Sequence, residues 1–171
     1  MPEFFNVLPP SEALGVLLGR LDVTVRIEAV PTTQTLGRVT AEDIVSPENL
    51  PSYARSTMDG YSVRASDTFG ASESLPAYFE LVGEVPMGAE AKHSLSTGLA
   101  AVAYTGGMLA NEADAVIMVE NTQRVGDDSI EVLKPVAPGE NVIQIGEDVR
   151  AGEVVLSKGH RLGPQDIGAL L

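Results

Sequence analysis

Residues 50–63 read LPSYARSTMDGYSV, a polar segment that runs directly into an apolar one. Hydroxyl side chains and the carboxylate of Asp59 precede Gly60, where we expect a strand over residues 60–64. A loop that enters a strand can hold polar groups on a rigid edge, so Asp59 is the first candidate functional residue. The Asp59-Gly60 pair is also typical of an ordinary turn, in which the carboxylate accepts hydrogen bonds from local amides.

Downstream of this segment, short apolar runs alternate with glycine-rich turns as far as Pro138. We predict strands over residues 60–64, 78–85, 99–104, 115–120 and 129–133. This spacing is typical of a small antiparallel barrel or sandwich. Two further extended runs are expected near residues 141–145 and 153–156.

Both ends of the chain show helical periodicity. Leucines spaced three and four apart predict a helix over residues 11–21 with Ser11 as its N-cap, and alternation then predicts a strand over residues 23–29. A second helix is expected from Pro164 onward. Its apolar face is still growing at Leu171, so we expect the natural protein to continue beyond that residue.

Composition excludes several classes of function. The chain has 171 residues, 44% of them hydrophobic, and 11 basic against 24 acidic residues give a net charge of -13. Such a field disfavours nucleic acid and anionic membrane surfaces, and no apolar run approaches the roughly 20 residues of a membrane span. No cysteine is present, which excludes disulfides, zinc-thiolate sites and thiol nucleophiles. No secretory signal is visible at the N-terminus, so a cytoplasmic location is expected.

Few other motifs indicate chemistry. Residues 83–88 have the glycine spacing of a P-loop, but Ala89 and Glu90 stand where lysine and a hydroxyl are needed. The histidines, His93 and His160, have no partner at metal-ligand spacing and are expected at the surface. The second candidate site is YTGGM at residues 104–108, which is consistent with close approach of a ligand to the backbone or with a tight turn.

The two candidate segments also carry a family resemblance. STMDGYSV at residues 56–63 resembles the SAMDGYAV signature of the molybdopterin molybdenumtransferases, the MoeA family, which includes the E domain of gephyrin. TGG at residues 105–107 and EADAVIMVE at residues 112–120 are similar to that family's TGA and GADAVVxxE stretch. Shorter matches keep the same order along the chain: LGRV at 36–39, GED at 146–148 and LGPQDIG at 162–168.

The resemblance implies a mainly β fold with short helices. An elongated β domain, residues 23–46 and 139–171, would be interrupted by an inserted small β-barrel-like domain, residues 47–138. The N-terminal helix within residues 1–22 would pack on a third domain that this chain lacks.

The resemblance also implies a reaction and a site. Members insert molybdate into adenylylated molybdopterin with release of AMP, assisted by Mg²⁺, and act as homodimers whose site lies between subunits. Carried over by position, Asp59 and Thr105 would be catalytic, with Asp59 also the Mg²⁺ ligand. Ser56, Thr57, Gly106 and Asp148 would bind the ligand. The isolated chain, without its C-terminal domains, is expected to be inactive.

Some positions depart from the family pattern. NVIQI at residues 141–145 stands where members commonly carry arginines, Arg55 replaces an asparagine and Thr57 replaces an alanine. Between Tyr61 and Gln123 the basic residues are Arg64 and Lys92 alone, against an excess of carboxylates. The chain is therefore expected to supply an acidic wall, with cations from elsewhere. The alternative is a non-catalytic dimerisation or binding module of the same fold.

Overall fold

The chain folds into two units, which are described separately. The computed structural model describes residues 7–22 and 24–171. One unit comprises residues 42–157, and the other comprises residues 1–41 together with 158–171. Neither of the helices in the described ranges is long and apolar enough to cross a membrane.

The 42–157 unit is built from short strands. In chain order they are β1 (Ile44–Val45), β2 (Arg55–Ser56), β3 (Gly60–Val63), β4 (Ala77–Glu84), β5 (Leu99–Ala103), β6 (Ala115–Met118), β7 (Thr122–Val125), β8 (Ser129–Val132), β9 (Val142–Ile143) and β10 (Val154–Leu156). The predicted strands over 60–64, 78–85, 99–104, 115–120 and 129–133 are confirmed, and so is the mainly β fold class.

A six-stranded sheet, in the order β6-β3-β5-β4-β8-β7, forms the centre of this unit. Every residue of β3 is buried, because β5 and β6 flank it and side chains cover both of its faces. Alternation places Ile130 and Val132 of β8 in the core beside Phe79 of β4, all at most 2% exposed. The first residue of β3 is therefore held in a well-packed sheet, between β5 and β6.

The sheet is not wholly antiparallel, and that part of the prediction is wrong. β4 and β5 pair in parallel, while the other pairs in the sheet are antiparallel. Parallel neighbours cannot be joined by a tight hairpin, so residues 85–98 form a crossover between them. Met87 of this crossover lies beside the backbone of Gly106 and Gly107.

Two small antiparallel pairs, β1 with β10 and β2 with β9, complete the unit. In the second pair Arg55 faces Ile143 and Ser56 faces Val142. Residues 47–138 lie inside this unit together with the strands on either side. The predicted insertion of a separate domain over 47–138 stays a prediction.

Among its described residues, the other unit contains the α-helices α1 (Pro10–Arg20) and α2 (Pro164–Ala169) and a 3-10 turn at Thr32–Gln34. Backbone hydrogen bonds join residues 37–40 to 159–162, including Gly37 N–H to the Leu162 carbonyl at 2.8 Å. Asp166 in the first turn of α2 accepts hydrogen bonds from its own N-cap amide, Gly163, at 2.7 Å, and faces His160 Nε2 at 2.9 Å.

Two predictions for the N-terminal region need correction. Ser11 is not the N-cap of α1, because Pro10 occupies the first helical position and Pro9 is the cap. No strand forms over residues 24–29, where Val25 and Ile27 are 79% and 76% exposed, since alternation makes a strand only where a partner strand is present. Val23 lies outside the described residues.

Candidate functional site

Asp59 stands at the start of the buried strand β3, and the next residue fixes its position. A Cβ added to Gly60 would lie 1.8 Å from the carbonyl oxygen of Ile117 in β6, so only glycine allows this approach. The backbone carbonyl of Asp59 accepts a hydrogen bond from Val119 N–H at 3.2 Å. The aspartate backbone is thus fixed by the sheet while its side chain is exposed.

Asp59 and Thr105, the two residues predicted to be catalytic, are in direct contact. Asp59 Oδ1 accepts hydrogen bonds from Thr105 N–H at 2.8 Å and from Thr105 Oγ1 at 2.9 Å. The backbone hydrogen bond first, and the hydroxyl second, hold the pKa of Asp59 below its usual value of 3.8. Both bonds use Oδ1, so within the described part of the chain Oδ2 has no hydrogen-bond partner. Asp59 therefore presents an ionised oxygen to solvent at neutral pH.

A shallow cleft of about 230 Å³ opens beside Asp59. Tyr61, Val102, Ala103, Tyr104 and Val119 line it together with the Asp59-Gly60 backbone. The Tyr104 hydroxyl donates a hydrogen bond to Glu84, and this bond raises the pKa of the phenol above 10.0. The cleft thus places an apolar surface and an anchored aromatic ring beside the free carboxylate oxygen of Asp59.

The loop before Asp59 is organised by Ser56. Its hydroxyl donates to the Met58 carbonyl at 2.5 Å and accepts from Met58 N–H at 3.2 Å, and Ser56 is 1% exposed. Its backbone pairs with the second candidate segment, since Ser56 N–H donates to the Gly107 carbonyl and Gly106 N–H donates to the Ser56 carbonyl. Gly106 has a φ of +81°, which a residue with a side chain rarely adopts.

The structure thus brings Ser56 and Gly106 to the Asp59 site, with Ser56 as a residue that shapes the loop. Thr57 is anchored through its N–H, which donates to the Asn141 carbonyl at 3.0 Å. Ligand binding by Ser56, Thr57 and Gly106 stays a prediction.

Asp148 is connected to the site through Arg55. Its Oδ2 lies 3.5 Å from Arg55 Nη2, and its backbone N–H donates to the Leu50 carbonyl at 3.0 Å. Among the described residues its carboxylate makes no hydrogen bond to Asp59 or Thr105. Asp148 is therefore at the edge of the site, and its role in ligand binding also stays a prediction.

Asp59 is the residue that could hold a divalent cation. The described residues contain no group of three or more acidic or histidine side chains at metal-binding distance. Mg²⁺ does not need such a cage, because it keeps several waters and is commonly held by one or two carboxylates plus substrate phosphates. The free, ionised Oδ2 of Asp59 fits that mode of binding.

Comparison with known proteins agrees with the motifs quoted above. A family model for the MoeA N-terminal region, domains I and II, matches residues 8–171. The chain belongs to the MoeA family. This membership confirms the resemblance seen in residues 56–63.

Relatives of this MoeA-family chain are considerably longer than it is. A Methanocaldococcus jannaschii protein named for molybdopterin biosynthesis is 39% identical over 169 residues, which cover 96% of this chain and 40% of that protein. Molybdopterin molybdenumtransferase 2 of Mycobacterium tuberculosis is 37% identical over 81% of this chain and 34% of its own length. The crystal structure of a Pyrococcus horikoshii MoeA protein matches with a TM-score of 0.87 and 43% identity, covering 96% of this chain and 41% of that one.

Sequence reasoning missed two features near Asp59, the anchoring of Tyr104 and the buried stem of Arg55. The anchoring of Tyr104 by Glu84 had no signal, because the residues come from different strands and no local pattern joins them. Arg55 appeared only as a departure from the family pattern, although the excess of carboxylates nearby was a reason to ask where a cation stands.

Proposed function

We propose that this chain is the N-terminal part of an enzyme that inserts molybdate into adenylylated molybdopterin and releases AMP. The observation that carries the proposal is the Asp59-Thr105 pair, in which one carboxylate oxygen is fixed by two hydrogen bonds and the other is free at a cleft. The names of the relatives supply the chemical context, molybdopterin and molybdenum transfer.

The proposed reaction balances without an oxidant. The two thiol groups of molybdopterin bind molybdenum. Their two protons and one oxygen of molybdate leave together as water. One water molecule hydrolyses the phosphoanhydride bond that joins the pterin phosphate to AMP. Molybdenum is Mo(VI) both in molybdate and in the product, so no electron is transferred.

Asp59 would act by holding a divalent cation beside the diphosphate, and Thr105 by orienting the Asp59 carboxylate. Mg²⁺, when bound at Asp59 Oδ2, supplies neutralisation of the diphosphate charge. Thr105 keeps Asp59 ionised and oriented, because its N–H and hydroxyl both donate to Oδ1. Tyr104 and Val119 would cover one side of the ligand with apolar surface and limit water beside the diphosphate.

The rest of the proposed enzyme would come from domains C-terminal to this chain. Leu14, Leu17, Leu18 and Leu21 on and just after α1 are 51% to 58% exposed within the part of the chain that the structure describes. This apolar face supports packing against those domains, and homodimer formation belongs to the same proposal. A non-catalytic dimerisation or binding module is the alternative that the same face favours.

A chimera tests the proposed reaction. The N-terminal region of the Pyrococcus horikoshii MoeA protein is replaced by this chain, and molybdate-dependent AMP release is measured. We expect Asp59→Asn to slow release on the order of 100-fold, because charge stabilisation by a held metal is worth several kcal/mol. Asp127→Asn, in an exposed turn, is the control with the same charge change.

Each result of this assay has one meaning. Turnover in the chimera that Asp59→Asn leaves unchanged would remove Asp59 from the mechanism. A folded chimera that releases no AMP at any Mg²⁺ concentration would favour the binding module.

A further inference from the structure

Arg55 is the one basic residue in the three segments that meet at the site, residues 54–60, 104–108 and 141–148. It lies between the other two, since it pairs with Ile143 of β9 and forms a bridge with Met108. Its Cα is at most about 14 Å from that of Asp59, because only four Cα–Cα steps join them along the chain. Arg55 therefore places one cation among segments whose other charged residues are acidic.

The guanidinium of Arg55 has an unsatisfied hydrogen-bond donor. Nε is buried, and among the described residues it has no hydrogen-bond partner. The contact with Asp148 at 3.5 Å is an ion pair and lies outside hydrogen-bond geometry. An arginine carries five N–H donors in a planar fork, and buried donors are almost always satisfied.

The side chain is nevertheless held in place and accessible. Nε is enclosed by the protein, which restricts the stem, while 36% of the side chain remains exposed. The Asp148 side chain is 62% exposed and therefore free to move away. A restrained guanidinium with an unsatisfied Nε and a displaceable carboxylate has the features of an oxyanion site.

We infer that Arg55 binds a tetrahedral oxyanion of the ligand. When no ligand is present, Asp148 forms an ion pair with the Arg55 guanidinium. This inference rests on the proposed function, whose substrates offer two such groups, the diphosphate and molybdate. Arg55 supplies positive charge from this chain, in addition to any cation from the C-terminal domains. Asp148 is a competitor for Arg55, so its removal favours binding.

Binding can be measured on the 171-residue chain without turnover. The ¹⁵N-labelled protein is titrated with pyrophosphate and, separately, with molybdate, in EDTA and at constant ionic strength. The reporters are the Arg55 Nε–H resonance and the backbone amides of residues 55–58 and 105–108. Saturable shifts with one anion identify the source of the oxyanion, and shifts with both show that the site reads tetrahedral geometry alone.

Two pairs of matched variants test the assignment. Arg55→Gln weakens binding at least about tenfold, because hydrogen bonds to charged groups are the strong ones, whereas Arg124→Gln in the exposed strand β7 leaves it unchanged. Asp148→Asn tightens binding and Asp127→Asn does not. The amide spectrum of each variant shows that it is folded, and Asp148→Asn tests the inference with Arg55 intact.

Three results would each overturn the inference. They are absence of saturable shifts with both anions, equal weakening by Arg55→Gln and Arg124→Gln, and unchanged or weaker binding by Asp148→Asn. Asp59→Asn separates this inference from the proposed function, because it should slow AMP release in the chimera without weakening oxyanion binding here. Loss of one property with retention of the other therefore shows which proposal fails.

Discussion

Replacing Gly60 with alanine should destabilise the 42–157 unit more than any other single methyl addition to a glycine of the sheet. The added Cβ would lie 1.8 Å from the Ile117 carbonyl oxygen, whereas real contacts are not shorter than 3.0 Å. β3 and β6 must therefore separate by at least 1.2 Å, the difference between the two distances. Gly60 also pairs with Ala103 of β5, so neither side of β3 has room to give.

The size of the effect follows from these contacts. Overpacking of a close-packed interior costs about 1–3 kcal/mol, and a disrupted backbone hydrogen bond adds about 1 kcal/mol. With one or two bonds affected, we expect a loss of about 2–5 kcal/mol. For a chain of this size that corresponds to a decrease in melting temperature of about 10 °C.

Urea and thermal denaturation followed by circular dichroism measure this loss. Gly88→Ala is the control, because its φ is +74° but nothing lies within 4 Å of the new Cβ. It should cost only the left-handed backbone penalty, about 1–2 kcal/mol. A Gly60→Ala protein as stable as Gly88→Ala would show that β3 and β6 are not in close contact and that Asp59 is not fixed by the sheet.

Two further predictions concern titration. The pKa of Asp59 is lowered from 3.8, so its hydrogen bonds stabilise the fold fully above that pH, and this contribution is lost as pH falls through the lower, folded-state pKa. Thr105→Val keeps the backbone bond and removes the hydroxyl, so carboxyl ¹³C titration should give a midpoint closer to 3.8 than in the wild type; an unchanged midpoint would contradict the contact. Glu84→Gln should lower the pKa of Tyr104 toward 10.0, read from the tyrosine ¹³Cζ resonance, because the hydrogen bond to the carboxylate raises it. Glu131→Gln is the matched control, since Glu131 raises the pKa of Tyr78 in the same way and should leave Tyr104 unaffected.

Strand positions were predictable from sequence where burial alternates with exposure. In β8, Ser129 and Glu131 face outward while Ile130 and Val132 are buried, and a turn precedes them, so the period of two was decisive. The same alternation failed at residues 24–29, because a period describes which faces a strand would have and says nothing about a partner. Partner choice also explains the error over β4 and β5, whose parallel pairing was signalled only by the length of the 85–98 connection.

The members of the site were predictable one at a time, and their contact was not. Asp59 and Thr105 were each suggested by a polar residue beside a strand, but they are 46 residues apart in the chain. Their meeting depends on β3 and β5 being neighbours, which is a property of the whole sheet. Arg55 was overlooked for a related reason, since its value arises from the burial of Nε and not from any residue next to it.

The crossover between β4 and β5 leaves part of the site open to remodelling. Its residue Met87 touches the turn that carries Gly106, yet no strand of the central sheet passes through residues 85–98. Substitutions at Met87, which is 59% exposed, can therefore change the surface beside Gly106 while the Asp59 anchor and the buried Val85 and Leu95 of the same crossover stay unaltered. Substitution of Met87 is therefore the first change to make when a different ligand preference is sought. The β7–β8 hairpin, whose exposed tip is Gly126, offers a place for labels away from the cleft beside Asp59.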